Sequence, residues 1–387
     1  VRFTDYHSNG AVCSPTRAAL LTGRYQQRAG VGGVIYAGFD QNRNHGLHQS
    51  ETTFAEPLGG AGYQNGCFGK WHLGYEKKFN PVHHGFNRFR GYVSGNIDYQ
   101  SHFDRVGVYD WWEGLEHIRE KGYSTHLITR HAVKFIEEHR DRPFCLYVPH
   151  EAPHTPFQGP GDPGFRVKGK VVPEKRGAAF KKRAYREMVQ EMDKGVGEIV
   201  AALERLGLEK NTVVFFVSDN GATSFGSNGS LRGNKGQLWE GGHRVPAIAS
   251  WPGRIAAGSA CDDLSIGMDI FPTLLELAGV NAPENLRLDG RSLVPSLFGK
   301  KPPGQRKLYW SAGRQQAMRN GPWKYVRELK GQKAAALYNL SSDQGEKNNL
   351  AGKDPARLAS MRKDYAAWRK DVAAGATKQP PIPGTRK

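Results

Sequence analysis

The sequence predicts an α/β fold built on a mainly parallel sheet with helices on both faces, followed by a smaller antiparallel module with one helix. Three observations predict it. Helix-period and strand-like segments alternate between residues 47 and 280. The strands among them are apolar along their whole length, as strands covered on both faces are. From about residue 299 several short strands follow one another, separated only by turn residues. A chain of 387 residues holds one large core and a second module, at about 150 residues per domain, so domains are expected at residues 1–298 and 299–387.

The elements follow in order. Residues 50–63 (SETTFAEPLGGAGY) give a polar cap and a helix ending in glycine, and YQNGCFG after them a short strand. Residues 124–140 place Leu127, Ile128, Val133, Phe135 and Ile136 on a helical face, with PFCLYV as the next strand. Met188, Met192, Val196, Ile199, Leu203 and Leu206 recur at three- and four-residue steps, which predicts a helix over 187–206, and TVVFFV follows. VPAIASWPG reads as a strand and MDIFPTLLELAG as a helix with a glycine stop. Then KPPGQ is a linker, RKLYWSA, QQAMRN, WKYVREL and AALYNL are strands, and residues 355–374 form a last helix before a polar tail, KQPPIPGTRK, expected to fray.

Composition excludes several classes. No apolar run approaches the roughly 20 residues that cross a bilayer. Cys13, Cys67, Cys145 and Cys261 are scattered without a CxxC pair, which argues against a zinc ribbon or a disulfide framework. Cys67 and Cys145 lie in apolar strands and read as small buried hydrophobes. The net charge of +18 favours an anionic partner. Its densest stretch, residues 168–186, most often would be a solvated face. Nucleic acid has only the net charge in its favour, with no reading module.

Ligands of open parallel sheets bind beyond the carboxyl ends of the strands. There the strands run into Gly69-Lys70-Trp71-His72-Leu73-Gly74, into Pro149-His150-Glu151-Ala152-Pro153-His154-Thr155-Pro156, and into Ser218-Asp219-Asn220-Gly221. Each piece alone has a bland reading as a turn, a structural histidine or a packed lysine; their shared position makes them candidates. In VCSPTRAALLTGRY, Ser14 is a suitable N-cap and Pro15 a suitable first helical residue, with a stop near Gly23. Cys13 then lies at the positive end of a helix, where an oxyanion is favoured or a thiol is made acidic. A cysteine nucleophile acting as thiolate is one reading, but it leaves Lys70, Asp219 and Asn220 without a task.

These residues resemble the type I sulfatases. Cys13-Ser14-Pro15-Thr16-Arg17 followed by AALLTGR looks like their C-x-P-x-R signature, and GKWHLG, APHTP, SDNG, LRGNKGQLWEGG, RVPAIASWPG, WKYV and LYNLSSDQGEKNNLA continue the likeness over nearly the whole chain. The resemblance implies an alkaline-phosphatase-like fold and hydrolysis of a sulfate ester, releasing sulfate and an alcohol. It implies that Cys13 is oxidised to Cα-formylglycine by a formylglycine-generating enzyme before folding, and that its hydrate is the nucleophile held by Arg17. Asp219 and Asn220 match calcium ligands, with the oxidised Cys13 beside them. Lys70 and Lys235 match sulfate-binding lysines. His154 matches the donor of a proton to the leaving alcohol, and His72 the group that takes a proton from the hydrate.

The resemblance also implies a sulfated carbohydrate or glycosaminoglycan as substrate and an exported location, periplasmic, extracellular or lysosomal. Neither a membrane nor a nucleic acid is an expected partner. In the family a first strand ending in two aspartates, further metal ligands, lies some tens of residues before the signature cysteine. Here Cys13 has twelve residues before it, with Asp5 the one acid, so a central strand and part of the calcium shell are expected to lie outside this sequence. Residues 91–117, rich in aromatic, His and Asp residues, either grip a sugar ring or are pinned to the core by Trp111 and Trp112. Two alternatives to sulfatase activity are a formylglycine-dependent phosphonate monoester hydrolase or phosphodiesterase, and a non-catalytic binder of sulfated glycans.

Overall fold

A computed structural model describes residues 1–37, 42–302 and 304–380. Pro303 of the expected linker, and the tail beyond residue 380, lie outside the described residues. Contacts divide the chain into two compact units: residues 1–34, 213–277 and 285–378 form the first, and residues 35–212, 278–284 and 379–387 the second. The sheet expected after residue 299 thus belongs to the same unit as the first strand.

In the first unit a four-stranded sheet runs in the order Ala260–Cys261, Arg2–Phe3, Ala247–Ser250, Val214–Val217. The first pair is parallel and the other two pairings are antiparallel. A parallel pair, Ser265–Ile266 with Tyr6–His7, lies apart from it. The C-terminal strands fall where the turn grammar puts them, at Lys307–Ala312, Gln315–Asn320, Trp323–Arg327 and Ala336–Asn339. They form one antiparallel sheet in sequence order. One face of this sheet, carrying Tyr309, Met318, Tyr325 and Leu337, packs on Tyr365 and Trp368 of helix Pro355–Ala373, and the other face buries Leu308, Trp310 and Ala317. Asp354 caps that helix by accepting from the Arg357 amide at 3.0 Å.

The second unit holds a five-stranded sheet in the order Glu116–His117, Trp112–Glu113, Arg88–Tyr92, Gln64–Lys70, Phe144–Tyr147. Its three longest strands are parallel, and the two short ones are antiparallel. Within the expected α/β fold the sheets are mixed, because short return strands extend the edge in one unit and Ala247–Ser250 runs against its neighbours in the other. Helix Ser124–Glu138 lays Leu127, Ile128, Ala132 and Phe135 over Phe68 and Tyr92. The helix expected over 187–206 begins nine residues earlier and spans Ala178–Arg205. Ala184 and Met188 extend its buried face into the basic stretch, so packing carries the helix back through it.

Close strand approach is built on glycine. At Gly69, φ is +128° and a Cβ would lie 2.4 Å from the Pro149 carbonyl oxygen. Gly69→Ala should therefore destabilise the chain by about 3 kcal/mol, the scale of a combined backbone and packing defect. Urea unfolding of the two forms checks it; equal midpoints would show that the strands part without cost.

Candidate functional site

In the first unit, helix Cys13–Thr22 is buried along its whole length. Its N-cap is Val12, with φ −149° and ψ 160°, so Cys13 is the first helical residue, and Ser14 lies inside the helix instead of capping it. Thr16 does the tying instead: its hydroxyl accepts from the Gly10 amide at 3.1 Å and approaches the Gly10 carbonyl at 2.9 Å. Gly23 ends the helix as expected, with φ +66°. Cys13, 4% exposed, thus sits at the positive end of a buried helix.

One turn on, Arg17 Nη2 donates to Asp219 Oδ2 at 3.0 Å. Asp219 follows strand Val214–Val217, in a turn where Ser218 Oγ donates to the Asn220 carbonyl at 3.0 Å and the Gly221 amide to the Gly242 carbonyl at 2.9 Å. A Cβ on Gly221 would lie 1.8 Å from the Gly241 carbonyl oxygen, so only glycine fits. Asn220 Nδ2 donates to the Gly221 carbonyl, while its Oδ1 is buried without a hydrogen-bond partner. A buried amide oxygen left bare beside a carboxylate suits a hard cation, which takes oxygen ligands. The loop carrying Lys235 is laced to both pieces: the Lys235 amide donates to the Ala222 carbonyl at 3.1 Å and the Gly236 amide to the Ala11 carbonyl at 2.8 Å. Cys13, Arg17, Asp219, Asn220 and Lys235 are therefore neighbours in one unit.

The second unit holds Lys70, His72 and His154. Lys70 ends strand Gln64–Lys70, is 2% exposed, and its amide donates to the Pro149 carbonyl at 2.8 Å. That bond brings it beside the HEAPHTP segment. His72 has φ +57°, which costs a non-glycine residue energy. Its Nε2 donates to the Ile35 carbonyl at 2.8 Å, and its Nδ1 is buried without a partner. In the neutral ring Nδ1 is then an unused base. Gly95 leaves room for the ring: a Cβ there would lie 2.7 Å from Nε2. His154 has the opposite tautomer, since Nδ1 lies 2.9 Å from the Thr155 carbonyl, an acceptor.

The aromatic loop resolves toward packing. Trp111 is fully buried, stacks on His102 at 4.7 Å and donates to Glu120. Trp112 is buried too and donates to Asp110. Cys67 is buried as expected, whereas Cys145 is half-buried, with burial pushing its thiol up to about 12.

Comparison with known proteins decides the family. The Sulfatase family profile matches residues 1–280, and the profile of the N-sulphoglucosamine sulphohydrolase C-terminal region matches residues 233–367. The chain belongs to the sulfatase family. It is 36% identical to N-acetylgalactosamine-6-sulfatase of Mus musculus over 76% of the chain and 59% of that protein. Arylsulfatase A of Bos taurus is 33% identical over 90% of the chain and 76% of its own length. The chain thus spans less than two thirds of the mouse relative's length. A solved structure described as Ps i-CgsB in complex with k-i-k-neocarrahexaose matches with a TM-score of 0.85 and 27% identity, over 99% of this chain and 88% of that one. The phosphonate monoester hydrolase of Agrobacterium radiobacter shares the fold, at a TM-score of 0.63 and 21% identity.

The structure also shows a charge cluster that sequence reasoning missed. His7, Glu240 and His243 are buried and close enough to ligate one ion. Their lone pairs are already taken. Lys324 Nζ lies 2.9 Å from Glu240 Oε1, 2.8 Å from Glu346 Oε1 and 3.3 Å from His243 Nε2. Arg319 pairs with Glu240 and Asp5, and Arg244 approaches both. Three carboxylates thus face three fixed cations.

Burial opposes charge on Glu240, but Lys324 and Arg319 outweigh it and hold its carboxyl far below the usual range. Burial, then Lys324, keeps His243 neutral, and burial lowers His7 as well. Only one proton arrangement then works. His7 Nε2–H donates to Asp5 at 2.9 Å, and His243 Nδ1–H donates to His7 Nδ1 at 2.9 Å. His243 Nε2 is left as the acceptor toward Lys324, and its 3.3 Å approach to the Leu238 carbonyl is no hydrogen bond. Glu240, Lys324 and Glu346 all lie inside quoted motifs or beside them, yet only the fold pairs them.

Glu151 is a second omission. It is buried, its Oε1 accepts from the Ile97 amide at 2.9 Å, and its Oε2 has no partner. Burial pushes it up to about 8, against that bond and the charges of Lys70 and Arg166.

Two outcomes follow. Lys324→Met leaves Glu240 and Glu346 buried without their ammonium and should cost about 3–5 kcal/mol in urea unfolding; a loss under about 1 kcal/mol would mean that the site relaxes to water. For Glu151, the folded carboxyl keeps its proton up to a higher pH than the unfolded one, so its contribution to stability falls as pH rises from about 4.5 toward about 8. Relative to wild type, Glu151→Gln should gain stability across that window. Parallel stability–pH curves for the two proteins would refute the assignment.

Proposed function

We propose that this chain hydrolyses the sulfate ester of a sulfated carbohydrate, with Cys13 oxidised to Cα-formylglycine as nucleophile and calcium as metal. The observation that carries the reading is one helix placing Cys13 at its N-terminus and, a turn later, an arginine bonded to the Asp219 carboxylate, next to the bare buried Oδ1 of Asn220. The hydrated aldehyde supplies a hydroxyl that takes the sulfuryl group from the ester and releases it as the aldehyde re-forms. Asp219 and Asn220 would hold calcium, with the oxidised Cys13 as a further ligand; bound there, the ion offsets sulfate charge.

The chain's own groups then have separate tasks. The helix N-terminus and Arg17 favour negative oxygen at position 13. Lys70 and Lys235 bind sulfate oxygens as point charges. His154, its Nδ1 held by the Thr155 carbonyl, would work through Nε2 and, as the imidazolium, protonate the leaving alcohol. His72, whose Nδ1 is bare, takes the proton whose loss lets the aldehyde re-form. The carbohydrate substrate is supported by the names of the relatives, a GalNAc sulfatase and a structure holding a neocarrahexaose. Processing by a formylglycine-generating enzyme and export from the cytosol belong to the same reading. The boundary at residues 298/299 is retained as a proposed functional division, catalytic residues before it and a supporting sheet after it.

The test is the mass of the Cys13 peptide after expression with a maturing enzyme, together with sulfate release from sulfated sugars. Conversion shows as loss of two hydrogens and the sulfur with gain of one oxygen. His154→Ala should lower kcat about 10²–10⁴-fold on an alkyl sulfate, the usual worth of a general acid, and far less on 4-nitrophenyl sulfate, whose leaving group needs no proton. Equal losses on both substrates would remove His154 from that role. An unmodified thiol beside a converted control would favour the binding-protein alternative.

A further inference from the structure

Residues 168–186 carry eight Lys or Arg and one acid in 19 positions, about three times the cation density of a chain with 55 in 387. A solvated face of that kind usually interleaves acids with its cations. Here, among the described residues, only Arg183 of the eight is ion-paired, to Asp162 and Glu187 at 2.6 Å. Lys168, Lys170, Lys175, Lys182 and Arg186 are exposed and have no carboxylate within ion-pair distance.

The backbone that presents them is tied down. The amides of Phe165 and Arg166 donate to Asp98 Oδ2 at 2.8 and 3.0 Å, the Gly169 amide donates to the Gly107 carbonyl at 2.9 Å, and the Arg176 guanidinium lies 4.5 and 4.6 Å from the Phe165 and Phe180 rings while donating to the Phe157 carbonyl. The second half of the strip is the start of helix Ala178–Arg205, which has no acid in its first turn. Lys181 in that turn opposes the helix dipole, and Lys182 faces Arg186 at i,i+4, both locally unfavourable. The fold therefore holds like charges together on a fixed ledge at a cost to itself, a cost that a bound polyanion offsets.

We infer that residues 168–186 bind the chain of a sulfated polysaccharide through Lys168, Lys170, Lys175, Lys182 and Arg186. The choice of polymer rests on the sulfate-ester reading above; the polyanion-binding surface does not. Sulfate groups need only point charges, which lysines supply. A single-stranded nucleic acid would also use exposed aromatic faces for stacking, and here the large exposed side chains are Val167 and Val171, while the Phe165 and Phe180 rings are covered by Arg176.

The test uses the full chain and labelled dextran sulfate, with uncharged dextran and a dT20 oligonucleotide as comparisons. A variant carrying Lys168→Gln, Lys170→Gln, Lys175→Gln, Lys182→Gln and Arg186→Gln should bind dextran sulfate at least 10-fold more weakly, with a flatter dependence of log K on log salt. A control with five exposed lysines elsewhere changed, Lys300, Lys301, Lys330, Lys333 and Lys353 to Gln, loses the same net charge and should keep wild-type binding. On 4-nitrophenyl sulfate the strip variant should keep its kcat and KM. Equal weakening in both variants, or none in the first, overturns the inference. Tighter binding of dT20 than of dextran sulfate makes the strip a nucleic-acid surface instead. Because binding is read without turnover, a chain that binds dextran sulfate through the strip but releases no sulfate would overturn the proposed activity and leave the surface standing.

Discussion

Two buried carboxylates and the half-buried Asp5, balanced by three fixed cations, tie the first unit together, and the placement of the Lys235 loop depends on that balance. Asp5 and His7 come from the start of the chain, Glu240, His243 and Arg244 from the short helix after the loop, Arg319 and Lys324 from the C-terminal sheet, and Glu346 from the turn beyond it. None of these groups can leave without stranding a charge where water does not reach, so the segments move together or not at all. The same sheet reaches further along the loop. Gln315 Nε2 donates to the Gly236 carbonyl at 2.9 Å and its Oε1 accepts from the Leu238 amide at 3.2 Å. The C-terminal sheet is therefore a support for residues of the candidate site, and a substitution in it, far along the sequence from Cys13, bears on where Lys235 stands.

Much of this architecture was legible in the sequence because it rests on short-range rules. The four C-terminal strands, the capped helix after Asp354 and the glycine stops at Gly23 and Gly279 each follow from a few neighbouring residues. The site motifs stood out for a different reason: their residue types have no shared structural use, whereas the proposed reaction would use them all. What stayed hidden is tertiary. Helix Ala178–Arg205 starts early because Ala184 and Met188 find a surface to pack on, which no cap announces. Ser14 looks like a cap, but the bend before Val12 brings Gly10 to Thr16, which makes the tie instead. The Glu240–Lys324 pair joins residues 84 positions apart, and no local pattern encodes such a partner.

The two site histidines illustrate how backbone carbonyls decide side-chain chemistry. Ile35 takes the proton-bearing Nε2 of His72, and Thr155 takes the proton-bearing Nδ1 of His154. One ring is left with Nδ1 as its lone-pair nitrogen and the other with Nε2. Two residues of the same type thus present different ring atoms, and in the proposed reaction His154 would need a second proton, on Nε2, to act as the donor. For His72 the choice is enforced by a left-handed backbone and by Gly95, whose missing side chain admits the ring. The strain is then part of how the bare nitrogen is held.

Burial of Cys13 constrains the order of events in the proposed maturation. The residue begins a helix of which every residue is buried, and Thr16 ties that helix back to Gly10. An enzyme that oxidises a cysteine must bring its own active site against the Cβ and the flanking backbone, and a helix packed on all sides offers neither. In that proposed maturation oxidation would therefore precede closure of this helix, and the folded protein would receive position 13 already converted. The same burial would give the converted group its setting: the positive end of the helix and Arg17 are in place before any substrate arrives. The position that hides the cysteine from modification after folding is the one that stabilises negative oxygen during the reaction.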